Sequence, residues 1–471
     1  MKNSIYSVLT TILILCTVNS TYCQIIHIPS DYSSIQEGIN EAQNGDTVLV
    51  DEGTYYENIN FRGKNIVVAS RFIIDGNFAH INNTKIDGSQ STEPDTGSCV
   101  IFGSGEGSGA VIAGFTITGG TGTNFDFGGG TVFREGGGII MSNSSAIIKN
   151  NLIINNESKI VPNALGGGGG GISSMFGNPK VINNIIMQNT ASYAAGMVLN
   201  WSAGTVKNNL IYKNSGGGQY GTGGLMVWES PSLSAIVENN TIVENVSLST
   251  AGGLSVQNTS AIIRNNIIWG NTQQSGLQVT GYQTSIFEYC NSEDVYPGNG
   301  NISQSPDFYT EGFLLNVTSP CVDAGDPGIS FNDVEDPSNP GFALYPSYGE
   351  LMNDIGAYGG PGAELLPDIT GIVSVRENKS NQFPNSIILS QNFPNPFNPI
   401  TVIQYSIPTR SGVLLKVYDI LGNEIATLVN QEKESGMNTV KFDATSLPSG
   451  IYFYQLNAGS FVETKKMILL K

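Results

Sequence analysis

The sequence predicts an all-β protein in which a parallel β-helix, a solenoid of stacked coils, is followed by a small C-terminal β-sandwich. Three observations carry this reading. A phrase punctuated by glycine and asparagine recurs along the middle of the chain. The apolar runs inside it are short and rich in Ile and Val, which suits strands and not helices. The composition then changes after about residue 386, where the Gly-Asn repeat stops. With 471 residues, 58 of them Gly, 39% hydrophobic and 13% charged, the chain is long enough for more than one domain and apolar enough to build a core. Its net charge of -18 disfavours nucleic acid and anionic membrane surfaces, which attract positive charge.

Residues 1–23 carry Lys2, an apolar stretch and a polar close, the layout of a secretory signal peptide, which places the mature start near Gln24. No later segment is apolar for the length a membrane span needs, so the chain is not expected to be an integral membrane protein. Cleavage leaves Cys99, Cys290 and Cys321. An odd number allows one internal bridge at most, with Cys290 and Cys321 as the candidate pair and three buried thiols as the alternative. Next, Ser34 and Glu37 form a Ser-x-x-Glu capping box, and Ile35, Ile39 and Ala42 fall on one helical face, predicting a short helix that plugs the open end of the solenoid.

The repeat reads GGGIIMSNSSAIIKNNLIINN, GGGISSMFGNPKVINNIIMQN, AGMVLNWSAGTVKNNLIYKN, GGLMVWESPSLSAIVENNTIVEN and GGLSVQNTSAIIRNNIIWGN. Registered on Asn150/Asn151, Asn183/Asn184, Asn208/Asn209, Asn239/Asn240 and Asn265/Asn266, the spacings are 33, 25, 31 and 26 residues. A unit this small cannot bury its apolar face alone, so each strand must pair in parallel with its copy one coil away. The asparagines then share a corner, where their amides can form a hydrogen-bonded ladder. The string SIQEGINEAQNGDTVLVDEGTYYENINFRGKNIVVAS, together with SGAVIAGFTITGG and these units, resembles pectin-lyase-like, right-handed parallel β-helix proteins; the resemblance covers about residues 28–300, within a β-helix domain expected over residues 24–303. It implies the fold and leaves activity open, since that family spans lyases, hydrolases, esterases and adhesins.

Residues 304–364 follow as an acidic segment. Between Arg264 and Arg376 there is no Lys or Arg, whereas 14 acidic residues lie between Glu288 and Asp368. SPCVDAGDPG to NDIGAYGG resembles the closing segment of many secreted β-helix proteins, which implies a cap on the C-terminal end. Asp323, Asp326, Asp333, Asp336 and Asp354 are either hard oxygen ligands for calcium or solvated turn residues. A linker is expected over residues 365–386. From residue 387 to 471 the strands TVIQYSI, VLLKVYD, EIATLV, NTVKF, GIYFYQL and VETKKMILL alternate with turns, the pattern of a β-sandwich. SQNFPNPFNP, VYDILGNEI, FDATSLPSGIYFYQL and the finish KKMILLK closely resemble the type A C-terminal sorting domain of the type IX secretion system. That resemblance implies Lys465, Lys466 and Lys471 as parts of the sorting signal, the secretion machinery as partner, and the surface or surroundings of a Gram-negative bacterium as destination.

No catalytic constellation emerges. The two histidines, His27 and His80, precede the repeats, and FDFGG around Asp126 departs from the Asp-Phe-Ile-Phe-Gly pattern of pectin methylesterases. Lys149, Lys207 and Arg264 each immediately precede the asparagine pair, with Ile182 and Glu238 in that place in the other two coils. In a parallel stack they form a file about 10 Å per two coils, either a solvated row or a binding row for an anionic polysaccharide. The expected function is a secreted or surface β-helix protein that binds polysaccharide or another surface. The alternatives are a polysaccharide lyase or other carbohydrate-active enzyme, and a structural or adhesive surface protein.

Overall fold

The computed structural model describes residues 23–367 and 387–470, except 94, 159–160, 162–163, 219–220, 233, 274–276, 310–311, 390–391, 393–394, 408–409, 434–435 and 460. The signal peptide, most of the linker and Lys471 lie outside the described residues. The chain forms two compact units, Met1–Gly371 and Ile372–Lys471.

In the first unit, the described residues build three long parallel sheets, each coil giving one strand to each. Sheet A runs over ten strands from Ile25–Ile28 to Ile286–Glu288, sheet B over nine from Gly53–Tyr55 to Asn291–Ser292, and sheet C over eight from Ile59–Asn60 to Val279–Thr280. Identical positions stack in register: Ile148, Val181, Val206, Val237 and Ile263 form one interior file of sheet A. Ile153, Ile186, Ile211, Ile242 and Ile268 form another in sheet B. All ten are fully buried. Because apolar burial is gained only when a neighbouring coil covers the same position, the repeat spacing in the sequence becomes the axial repeat of the fold. The capping box is present, starting helix α1 (Ile35–Glu41), and Ile35, Ile39 and Ala42 close the first coil against Ile28 and Val48.

The paired asparagines do two different jobs. The first of each pair, Asn150, Asn183, Asn208, Asn239 and Asn265, turns the corner between sheets A and B with φ between 51° and 56°, a left-handed conformation that asparagine tolerates better than most residues. The second points inward and makes the ladder: Asn151 donates to Asn184 at 3.1 Å, and Asn184 to Asn209, Asn209 to Asn240 and Asn240 to Asn266 at 3.0 Å each. A second ladder, unforeseen from the sequence, lies five residues on. Asn156, Asn189, Asn214, Asn245 and Asn271 repeat the same pattern at 2.9–3.1 Å, and Asn271 donates to Gln278 Oε1 at 3.0 Å.

This geometry corrects the disulfide expectation. Cys290 occupies the next rung after Asn266, whose Nδ2 lies 3.9 Å from its sulfur, and burial pushes its thiol up to about 12. Cys321 instead accepts from Asn291 Nδ2 at 3.0 Å, so both cysteines, like Cys99, are buried free thiols. The acidic segment also departs from expectation. Instead of only closing the C-terminal end, it runs back along the A–B corner and meets the outer asparagines one coil at a time. Asp326 N donates to Asn265 Oδ1 and Asn239 donates to Asp354 O; Asn208 donates to Gly359 O, Asn183 to Gly362 O and Asn150 to Glu364 Oε2.

The second unit is an antiparallel sandwich. One sheet contains Ile388–Leu389, Ile400–Ile407 and Gly436–Asp443, and the other Glu424–Lys433, Ser411–Tyr418, Gly450–Ala458 and Phe461–Leu469. Tyr405, Leu415, Tyr454, Met467 and Leu469 fill its core. Phe397, within NFPNPFNP, clasps the last strand: its N–H donates to Ile468 O and its carbonyl accepts from Leu470 N. Lys465 and Lys466 lie on that strand, Lys465 at 3.5 Å from Glu463.

Candidate functional site

Along the corner that follows sheet C, each coil again places one residue in the left-handed region: Asn143, Phe176, Trp201, Glu229 and Asn258, with φ of 48–56°. They stack through backbone bonds, Asn143 N donating to Met175 O, Phe176 N to Asn200 O, Trp201 N to Trp228 O and Glu229 N to Gln257 O. Large aromatic side chains are uncommon in this conformation, which costs about 1–2 kcal/mol for residues with a Cβ. Two successive coils nevertheless carry Phe176 and Trp201 here, 42% and 38% exposed, with rings parallel to within 7° at 5.3 Å.

An antiparallel arm, Gly122–Asp126 paired with Val132–Glu135, leaves the solenoid beside this corner. Asp126 Oδ1 accepts from Gly128 N at its tip, an aspartate turn, and does not enter a carboxylate cluster. The arm brings Phe127 to 5.6 Å from both Trp201 and Phe133, and Phe133 to 6.1 Å from Tyr193, which meets Trp228 edge-on at 6.0 Å. With Phe125, 4.8 Å from Phe127 and 6.4 Å from Phe176, seven rings thus form a continuous aromatic array that starts at the corner and covers Val198 and Met226 on the outer side of sheet C. The arm is anchored by Glu135, fully buried, whose carboxyl accepts from Ser173 Oγ at 2.6 Å and from the Tyr193 hydroxyl. Desolvation without a cationic partner raises its pKa to about 8. Beyond the rings the face turns polar. Gln257 and Thr280 both donate to Ser255 Oγ, at 3.1 and 3.2 Å. Farther along the same corner a shallow groove of about 590 Å³ is lined by Ser230, Ser232, Asn258, Thr259, Ser260 and Thr284.

The basic file aligns as expected and is then claimed by other residues. Lys149, Ile182, Lys207, Glu238, Arg264 and Glu288 stand in register on successive strands of sheet A. Lys149 is exposed, but Lys207 is 2.5 Å from Glu238, and Arg264 lies 3.6 Å from Glu288, 3.1 Å from Asp326 and 4.7 Å from the Phe331 ring. Arg264 thus holds the returning acidic segment, and two of the three cations of the row are engaged in ion pairs within the chain, which leaves Lys149 exposed. The five aspartates are likewise not gathered into one ligand set. Asp323 accepts from Glu350 N, Asp326 pairs with Arg264, Asp336 accepts from Ser338, and Asp333 and Asp354 accept backbone N–H groups of Gly360, Asp354, Asp323 and Tyr348. Among the described residues, no group of three or more His, Cys, Asp or Glu is arranged to hold a metal ion. His80 sits between Glu52 at 2.8 Å and Asp75 at 3.2 Å near the start of the solenoid.

Sequence reasoning passed over the aromatics because the repeats were registered on asparagine. Registered on the glycines before sheet C, Phe176 and Trp201 both fall four residues after the first strand position, Ile172 and Met197.

Residues 131–292 match the family described as the right handed beta helix region, and residues 391–470 match the secretion system C-terminal sorting domain. No curated protein matches the chain. Similar solved structures include a pectin methylesterase in complex with a hexasaccharide, at 10% identity and a TM-score of 0.34, covering 63% of this chain and 98% of that one. The pectin methylesterase PemA from Erwinia chrysanthemi is 9% identical with a TM-score of 0.35, over 64% and 99%. A mutant of the alginate lyase AlyGC is 12% identical with a TM-score of 0.24, over 62% and 55%. No helix among the described residues is long and apolar enough to cross a membrane. The sorting domain marks the protein for export to the cell surface or extracellular space. The chain thus joins a right-handed parallel β-helix region to a secretion system C-terminal sorting domain.

Proposed function

We propose that this exported solenoid binds polysaccharide along the corner that follows sheet C, with the exposed rings of the aromatic array as its platform. The observation that carries the reading is the half-exposed pair Phe176 and Trp201, held in a strained backbone conformation at one corner of successive coils. Backbone strain kept in this way clusters at ligand sites. Aromatic faces bind the C–H faces of sugar rings, while the neighbouring Asn, Ser, Thr and Gln side chains suit sugar hydroxyls. Glu135 and Tyr193 are too deeply buried to touch a bound chain and serve to fix the arm. The test is retention of the protein on immobilised polysaccharides. Trp201→Ala should lose at least tenfold in affinity with its unfolding midpoint changed little or slightly raised, since the rings are half exposed. Unchanged retention by Trp201→Ala would remove the platform.

A further inference from the structure

We propose that the glycan held at this corner is a linear, extended chain lying parallel to the solenoid axis, an inference that rests on the binding role just given. Its sugars pass from the Trp201 ring into the hydroxyl-lined groove beyond it, which serves as a second subsite. Rings and groove belong to one file. Phe176, Trp201, Glu229 and Asn258 hold the same left-handed corner position on successive coils. The groove opens at the far end of that file, where Ser232, Asn258 and Thr284 are exposed and Thr259 is half-buried. Trp201 follows strand Met197–Asn200 and Thr284 follows strand Val279–Thr280, three places on in sheet C. At about 4.8 Å per strand, they stand roughly 14 Å apart along the axis. Phe176 and Trp201 are one coil apart with rings parallel to within 7°, so Phe176 covers one face of Trp201. The other face is turned along the axis toward Glu229 and the groove.

The polar groups of the groove are set as acceptors. Thr259 Oγ1 donates to Ser230 O, and Thr284 Oγ1 to Thr259 O at 2.9 Å, each bonding to the coil before it. Ser232 and Ser260 share one hydroxyl bond at 2.9 Å, and Asn258 Nδ2 donates to Glu229 Oε1 at 3.3 Å. With these protons spent within the chain, the hydroxyl and amide oxygens offer their remaining lone pairs to a ligand. A sugar, rich in hydroxyl donors, matches such a row. The straightness of the file then sets the class of chain. An extended, ribbon-like glycan advances by close to one coil spacing per sugar, so each coil meets the next sugar in the same way. A chain that winds, such as an α-1,4-glucan, leaves the file after its first sugars. Sugars that reach the groove bind as an intramolecular event, so affinity should rise with chain length until the groove is filled.

The experiment titrates the full-length protein with the trioses and hexaoses of the cello-, xylo- and manno- series and with maltohexaose, followed by tryptophan fluorescence and calorimetry. At least one ribbon hexaose should bind at least tenfold tighter than its triose and at least tenfold tighter than maltohexaose. The groove variant is Asn258→Gly with Thr284→Val; glycine keeps the left-handed corner, and both sites are exposed, so its urea midpoint should hold. It should bring the hexaose down to the affinity of the triose and leave triose binding unchanged. Equal affinity for triose and hexaose, or a hexaose untouched in the groove variant but lost in Trp201→Ala, would overturn the axial chain and leave the ring platform standing. Maltohexaose bound as tightly as the best ribbon hexaose would overturn the extended class. Retention on immobilised polysaccharide without binding of any of these oligosaccharides would sink this inference alone, whereas absence of both would remove the polysaccharide reading as well.

Discussion

Replacing Asn209, the middle rung of the inner ladder, with Ala tests whether side-chain amides hold the coils together. Its Nδ2 donates to Val181 O at 2.8 Å, Lys207 O at 2.9 Å and Asn240 Oδ1 at 3.0 Å; its Oδ1 accepts from Asn184 N at 2.9 Å and Asn184 Nδ2 at 3.0 Å. Truncation strands a buried backbone N–H and several acceptors where water cannot follow. At about 1 kcal/mol per net bond, with a further penalty for groups left unpaired, the loss is roughly 3–6 kcal/mol. All three tryptophans, Trp201, Trp228 and Trp269, lie in the solenoid, so their fluorescence in a urea titration reports that unit alone. With a steep urea dependence of about 3–4 kcal/mol/M for a unit this large, the midpoint should fall by about 1 M. Asn299→Ala removes an exposed bond to Glu288 and should change stability by less than about 0.5 kcal/mol. A shift for Asn209→Ala no larger than for Asn299→Ala would show that backbone pairing and apolar stacking suffice without the ladder.

Other expectations concern the arm, the returning segment and the tail. Glu135 holds its proton to about pH 8 when folded against 4.5 as the ordinary value, so the folded form binds more protons between those values. Its contribution, up to roughly 5 kcal/mol, is therefore complete below pH 4.5 and lost as pH rises through 8, and Glu135→Gln should flatten the fall in melting temperature between pH 6 and 9. Arg264→Met leaves Glu288 and Asp326 unpaired and should cost about 1–3 kcal/mol, read as faster proteolysis within residues 326–336; equal digestion of both proteins would argue against the clamp. Deleting residues 465–471 removes Met467 and Leu469, both fully buried, from the sandwich, and should block export by unfolding the sorting domain. Display of that truncation on the cell surface would defeat the assignment.

Much of this architecture is legible because a solenoid writes its axial repeat directly into the chain. The spacing of Asn151, Asn184, Asn209, Asn240 and Asn266 marks both the coil length and the inner ladder, and Ser34 with Glu37 marks the start of the helix. The second ladder was equally visible, as the asparagine five residues on in every unit, but an asparagine beside a turn also reads as a turn residue. What sequence spacing does not reveal is which neighbour claims a side chain. Arg264 looks solvent-facing as a strand position, and only the path of residues 321–364 brings Asp326 and Phe331 over it. Cys290 looks like one half of a bridge until its register shows it to be a ladder rung. Phe127 and Phe133 sit on an arm outside the repeat, so no periodic signal announces them, whereas Phe176 and Trp201 show only when the units are registered on their glycines.

The path of the returning segment has a consequence for how the solenoid comes apart. In a simple stack each coil touches only its two neighbours, and the array can fray from an end one coil at a time. Here a single stretch of chain is fastened to Asn265, Asn239, Asn208, Asn183 and Asn150 in turn, so opening any one of these coils strains its grip on the other four. Nearest-neighbour coupling becomes coupling over five coils, which should merge their separate transitions into one. The order of synthesis adds a second effect. The fastening segment emerges after all the coils it joins, so during export the coils can pass through a loosely coupled state that is locked only when the last part of the unit is in place.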